Sequence, residues 1–254
     1  MKDFVKQESV VREIWSKSDT ILFVFAGAAA EFALNKAVDW LYFTGRLPAD
    51  PLGRLFSTVM YARRIVFSDT ATAHKAIDQI TAIHQAVENS RGSKIPDWAY
   101  RDVLFMLIHY SIAAYELLER KLTDTEKEDV YDVFYRMGSR MNLKDLPLTY
   151  RDWLPVRDAH LIADTARTNL TDDLFLQYRK HLGSIRYFIL RQSQAMVVPV
   201  HVRHLLGMPA FSWAKPLLGI YKITEKLGVE WFFKKMLFPP KYIDQIRSLD
   251  QAPR

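Results

Sequence analysis

The chain has 254 residues, 49% of them hydrophobic, enough for one substantial core or for a domain with an appended tail. It contains no cysteine, which excludes a disulfide scaffold, thiolate-ligated iron and iron–sulfur clusters and fits a reducing compartment. The formal net charge is +6, and the nine basic and four acidic residues between 200 and 254 account for most of it, so the near-balanced remainder argues against a nucleic-acid-binding body.

The first element is a short amphipathic helix over residues 3–15, with Val5, Val11, Ile14 and Trp15 as its contacts. The charged N-terminus is unlike a secretory signal. After the break at SKSD, one long helix is expected from Asp19 to Phe43. Its apolar run, residues 21–30, is too short to span a bilayer and reads as buried. Ala26 to Ala30 are small enough for close packing against a partner helix or a flat cofactor. TGRLPADP is a loop that ends at Asp50.

Two helices follow. Asp50 caps the first and Pro51 occupies its first position. Arg54 and Thr58 share a face, while Phe56, Val59 and Met60 look like core. The second helix starts near Asp69. In it Ile77, Ile80, His84 and Val87 follow the spacing of one buried stripe. An imidazole on that stripe must satisfy two ring nitrogens, one of which is able to bind a metal while the other donates a hydrogen bond. A core histidine bonded to backbone satisfies the same pattern.

ENSRGSKIPD is an exposed connection, with Trp98, Ala99 and Tyr100 beside it as a cover for a pocket entrance. Asp97 to Lys121 is a long helix with Leu104, Leu107, Ile108, Ile112, Tyr115, Leu118 and Leu122 as its stripe and His109 on its flank. Thr123 and Glu126 form a capping box for a helix reaching Met141. Thr149 and Asp152 open a short helix that Pro155 should kink or delay. Thr171 and Asp172 cap a last long helix to Met196, with Arg179, Lys180, Arg186 and Arg191 solvated. His201 and His204 lack a third ligand, so zinc is not expected. From Phe211 to Arg254 a basic, aromatic-rich extension suits either a membrane surface or packing on a body at 1–210. Phosphate loops, nucleophile elbows and strand-like alternation are absent from the sequence.

The run DPLGRLFSTVMYARRIVF, then AIHQAVE, DVLFMLIHYSIAAYELL, LTDTEKEDVYDVFYRMG and PVHVRHLLGMP, resembles the rubber-oxygenase/mpaB catalytic-domain family from Ile21 to about Met208. That family includes bacterial latex-clearing rubber oxygenases and an ER-bound fungal oxygenase. The resemblance implies an all-α, globin-like helical core with additional helices, holding haem b. It implies His84 as the proximal iron ligand, Arg54 and Thr58 lining the pocket as catalytic residues, and His109 as a second pocket residue. Two departures stand out. Ser57 occupies the position of a lysine that reaches the iron in rubber oxygenases. The carboxylate proposed as their catalytic base has Glu31 as its nearest candidate here.

The expected function is therefore a haem-dependent oxygenase or oxidoreductase acting with O2 on an apolar, isoprenoid- or lipid-like substrate. The expected location is cytoplasmic, with peripheral membrane contact through the basic tail. A non-catalytic haem- or lipid-binding protein at a membrane surface is the alternative, and a cofactor-free helical scaffold is a third.

Overall fold

The structure is a computed structural model that describes residues 2–45, 49–209, 212, 219 and 239–250. Regular structure among these residues is helical, with two isolated bridges, Asp3–Asp69 and Asn35–Thr165. The helices are α1 (Val10–Ser16), α2 (Ser18–Phe32), α3 (Val38–Phe43), α4 (Pro51–Phe67), α5 (Thr70–Arg91) and α6 (Asp97–Leu118). They continue with α7 (Asp124–Arg140), α8 (Tyr150–Ala163), α9 (Asn169–Val197), α10 (Val200–Leu205) and, after a 3-10 turn at Pro240–Tyr242, α11 (Ile243–Leu249). The all-α expectation is met. No helix among the described residues is long and apolar enough to cross a membrane.

At the N-terminus the helix is shorter than expected. Ser9 caps α1, and the residues before it bond across to the α4–α5 joint. Phe4 N donates to the Ser68 carbonyl at 3.1 Å, and Thr70 N donates to that of Lys2 at 2.9 Å. Backbone groups satisfied across the chain in this way are not available for a helix.

The expected helix from Asp19 to Phe43 is two helices. The Asn35 side chain accepts from Ala37 N at 2.9 Å and donates to Asp102 Oδ2 at 2.7 Å. An asparagine that bonds its own backbone competes with helix continuation.

α2 packs most extensively on α6. The small residues allow this close approach. A Cβ at Gly27 would lie 2.2 Å from Tyr110 Cδ1. The α6 stripe is buried as expected, but Phe105, Met106, Tyr110 and Ser111 are buried as well, so the helix is enclosed almost all round. On α4, Phe56 and Val59 are core, whereas Met60 is 59% exposed.

The capping box of Thr123 and Glu126 is present on α7. α8 runs unbroken from its Thr149 cap through Pro155. The carbonyl that Pro155 leaves without a donor belongs to Arg151, an exposed residue. α9 begins earlier than expected, capped by Thr168 with Thr171 reciprocating, and Gly183 at φ 75° divides it into two arms. Arg191 is not solvated: it lies over the Phe175 ring at 4.6 Å and donates to the Leu206 carbonyl at 3.1 Å.

The last described stretch is fastened to the body. Tyr242, Ile246 and Leu249 are buried. The Tyr242 ring stacks on Phe56 at 5.3 Å, and its hydroxyl donates to Asp50, the cap of α4. Arg63, near the other end of α4, donates to the carbonyls of Trp15 and Leu249. Asp250 accepts from Ser18 N at 2.9 Å and from Ser18 Oγ at 3.0 Å, supplying the cap that Lys17 does not give α2. Trp213, Trp231, Phe232, Phe233 and Phe238, on which the expected membrane contact rests, lie outside the described residues.

Candidate functional site

α4 and α5 are joined by Ser68 and Asp69, and Asp69 caps α5 by accepting from Ala71 N and Thr72 N. Their packing brings Arg54 within electrostatic reach of His84. The expected stripe of α5 is only partly buried. Ile77 is core, whereas Ile80, His84 and Val87 are half-covered.

The His84 ring meets the edge of Tyr100 with centroids 5.1 Å apart. Its Nδ1 is buried and has no hydrogen-bond partner. Burial, reinforced by the charge of Arg54 and opposed by that of Glu88, pushes its pKa down to about 4. The ring is therefore neutral at physiological pH, the form in which imidazole binds a metal.

Glu88, one turn beyond His84, holds the surrounding wall. Its Oε1 accepts from Ile95 N and from the Tyr100 hydroxyl, both at 3.0 Å. Burial and this carboxylate push the Tyr100 phenol well above its ordinary range, so it remains a donor. The sequence placed Tyr100 near a pocket entrance but gave no sign of its contact with His84.

The α4 hydroxyls are already engaged. Ser57 Oγ and Thr58 Oγ1 both donate to the Arg54 carbonyl, at 2.7 and 3.2 Å. Ser57 also lines a cleft of about 500 Å³ between α4 and α11, with Phe56, Met60 and Leu249.

His109 belongs to different surroundings. It packs edge-on against Tyr110, with centroids 4.9 Å apart. Burial first and then the Arg157 charge push its pKa down to about 3. His84 thus answers to Arg54, and His109 to Arg157.

Arg157 of α8 is part of a buried polar ladder. Its guanidinium pairs with Glu31 of α2 at 2.5 Å, and the Tyr110 hydroxyl of α6 donates to the same Glu31 oxygen at 2.8 Å. Glu31 is 0% exposed, and the same oxygen is held by Arg157 and Tyr110. The second rung begins at Asn35, four residues after Glu31 and beyond the end of α2. Asn35 donates to Asp102, and His160 Nδ1 faces Asp102 Oδ1 at 2.9 Å and Asp164 Oδ2 at 3.0 Å. Burial raises the Asp102 pKa to about 6 against the opposing effect of its partners. Nothing in the spacing of the sequence pointed to either rung, because their members are brought together from segments far apart in the chain. His201 bonds Thr165 at 3.0 Å.

The site is thus an all-helical one. Its candidate residues are a neutral imidazole on α5 and, within electrostatic reach, a guanidinium on α4. Residues 15–221 match the family described as ER-bound oxygenase mpaB/B'/Rubber oxygenase, catalytic domain, and the chain belongs to that family. The match extends past both ends of the resemblance read from the residues. Membership implies an oxygenase. No curated protein and no solved structure was found to match the chain.

Proposed function

We propose that the chain is a haem b-dependent oxygenase that acts with O2 on an apolar, isoprenoid- or lipid-like substrate. His84 is its proximal iron ligand, and the surrounding helices form a globin-like core. The observation that carries this reading is the buried His84 Nδ1 without a protein partner, in a ring kept neutral. A buried polar atom left unpaired costs stability unless a ligand or water reaches its surroundings. The residues around it fit haem: an unprotonated imidazole for the iron and a nearby cation for the carboxylates of the porphyrin.

Bound haem supplies the redox chemistry with O2. The rest falls to this chain. Arg54 offers positive charge where negative charge develops. Tyr100, fixed by Glu88, covers one side of the His84 ring and keeps water from it. Thr58 donates to its own helix, so its hydroxyl offers the site lone pairs, and donating elsewhere requires it to leave that bond.

A second reading, haem or lipid binding without turnover, is favoured by Ser57 and Thr58 both being engaged with the Arg54 carbonyl. O2-dependent product formation separates the two readings.

The absorption spectrum of purified, haem-supplied protein tests the proposal. The expected result is a strong Soret band that His84→Ala abolishes and Arg54→Ala keeps. Parental haem content and an unchanged ferric spectrum in His84→Ala would overturn the ligand assignment.

A further inference from the structure

The outer face of α9 carries three exposed large apolar side chains beside exposed basic ones. Leu176 is 49% exposed, Ile185 78% and Phe188 56%. Arg179 and Lys180 are exposed beside them, one turn from Leu176. Gly183, whose positive φ ends one arm and starts the next, lies between Lys180 and Ile185, so the five exposed side chains flank the bend on both sides. The inner face is spoken for: Tyr187 and Leu190 pack on the core. No acidic residue occurs between 174 and 224, a stretch that holds seven Lys and Arg.

We propose that this corner is a docking surface for an anionic phospholipid membrane. Ile185, Phe188 and Leu176 enter the apolar boundary, and Arg179 and Lys180 meet the headgroup phosphates. The sign of the charge selects the partner. A second copy pairing isologously would set these cations against themselves. Residues 213–238 carry five basic and two acidic residues, so a cover drawn from them would also be cationic. A nucleic acid would satisfy the cations but leave three large apolar side chains in water. An interface that takes both apolar insertion and positive charge is a lipid surface.

This surface uses none of the residues around His84, and it stands whether or not the chain binds haem.

Co-sedimentation of the full chain with vesicles tests it. Vesicles of phosphatidylcholine alone are compared with vesicles that also contain phosphatidylserine, at low and high salt. Binding is expected only to the anionic vesicles and is released by salt. Arg179→Gln/Lys180→Gln should weaken it roughly 30-fold, from about fivefold per basic residue. Ile185→Ser/Phe188→Ser should weaken it at least ~10-fold, since full burial of each side chain is worth that much or more. All four side chains are exposed, so far-ultraviolet circular dichroism should match the parent. Parental binding by both double variants would overturn the proposal and leave any binding to another part of the chain. Equal binding to neutral and anionic vesicles, or none at low salt, would overturn it too. So would a change of Ile185→Ser/Phe188→Ser from dimer to monomer with vesicle binding unaltered, which would assign the face to a second copy.

Discussion

α8 and α5 both bring polar side chains against the buried middle of the molecule, and they treat them differently. On α8, Arg157 and His160 find carboxylates on α2 and α6 within hydrogen-bond distance. On α5, His84 keeps a buried nitrogen without a partner beside Arg54. The first arrangement sets opposite charges against each other across three helices, although Glu31 Oε1 and Arg157 Nε are themselves left without hydrogen-bond partners. The second holds groups in chemically defined states, a neutral imidazole and a cation, without closing them on each other. A buried ion pair sets opposite charges against each other, whereas a neutral imidazole within reach of a cation leaves a nitrogen able to take a ligand.

Removing Arg157 should have the largest effect. Arg157→Leu strands the Glu31 carboxylate in the core and should cost about 3–5 kcal/mol in urea unfolding. The double variant Glu31→Leu/Arg157→Leu should recover much of that loss. A cost for Arg157→Leu below about 1 kcal/mol would erase the contrast between the two regions.

Arg54→Ala should leave stability nearly unchanged and instead remove roughly 1.5–3 kcal/mol of transition-state stabilisation, the worth of a charge-assisted hydrogen bond. Steady-state kcat/KM with an isoprenoid substrate checks this, and parental turnover would make Arg54 merely structural. Thr58→Ala should do less, because its hydroxyl already donates to backbone.

Gly27→Ala probes the ladder from its apolar side. The added methyl meets the Tyr110 ring, which cannot swing away without leaving Glu31. The expected loss is about 1–3 kcal/mol in thermal unfolding, and an unchanged melting temperature would mean the ladder yields.

The smallest effect concerns pH. His84 has its folded pKa lowered from 6.5 to about 4, so between those values the unfolded chain binds the proton first. The stability contributed by its neutral form is complete above about pH 6.5 and is lost as pH falls through 4. In haem-free protein, His84→Ala should flatten this slope while changing stability at neutral pH by only about 0.5 kcal/mol. A slope as steep as the parent's would show that the imidazole is not held neutral by the fold.

Much of the helical framework was legible because its signals are local. Asp50 with Pro51, Asp69, Thr123 with Glu126 and Thr149 are caps whose partners lie within three residues. The failures share a cause. Asn35 breaks the expected long helix by reaching Asp102, and Lys17 begins α2 with a cap lent by Asp250. Contacts of that sequence separation leave no periodic trace. For the candidate site, spacing put Arg54 and Thr58 on one face and His84 on a stripe, and only the family resemblance made them site residues. It could not show that Thr58 is engaged, that Tyr100 abuts the ring, or that Glu31 is tied to Arg157.

The fastening of the last helix has a consequence for how the protein is made. Asp250 is 232 residues downstream of Ser18, whose amide and hydroxyl it caps. At roughly 5–20 residues per second of synthesis, α2 leaves the ribosome about ten seconds or more before that cap exists. Arg63 likewise waits for the Leu249 carbonyl and Asp50 for the Tyr242 hydroxyl. The helix that carries Arg54 and Thr58 is therefore completed at both ends only after residues 242–249 have been made. A product ending before residue 239 would emerge with these groups still open to chaperones and proteases.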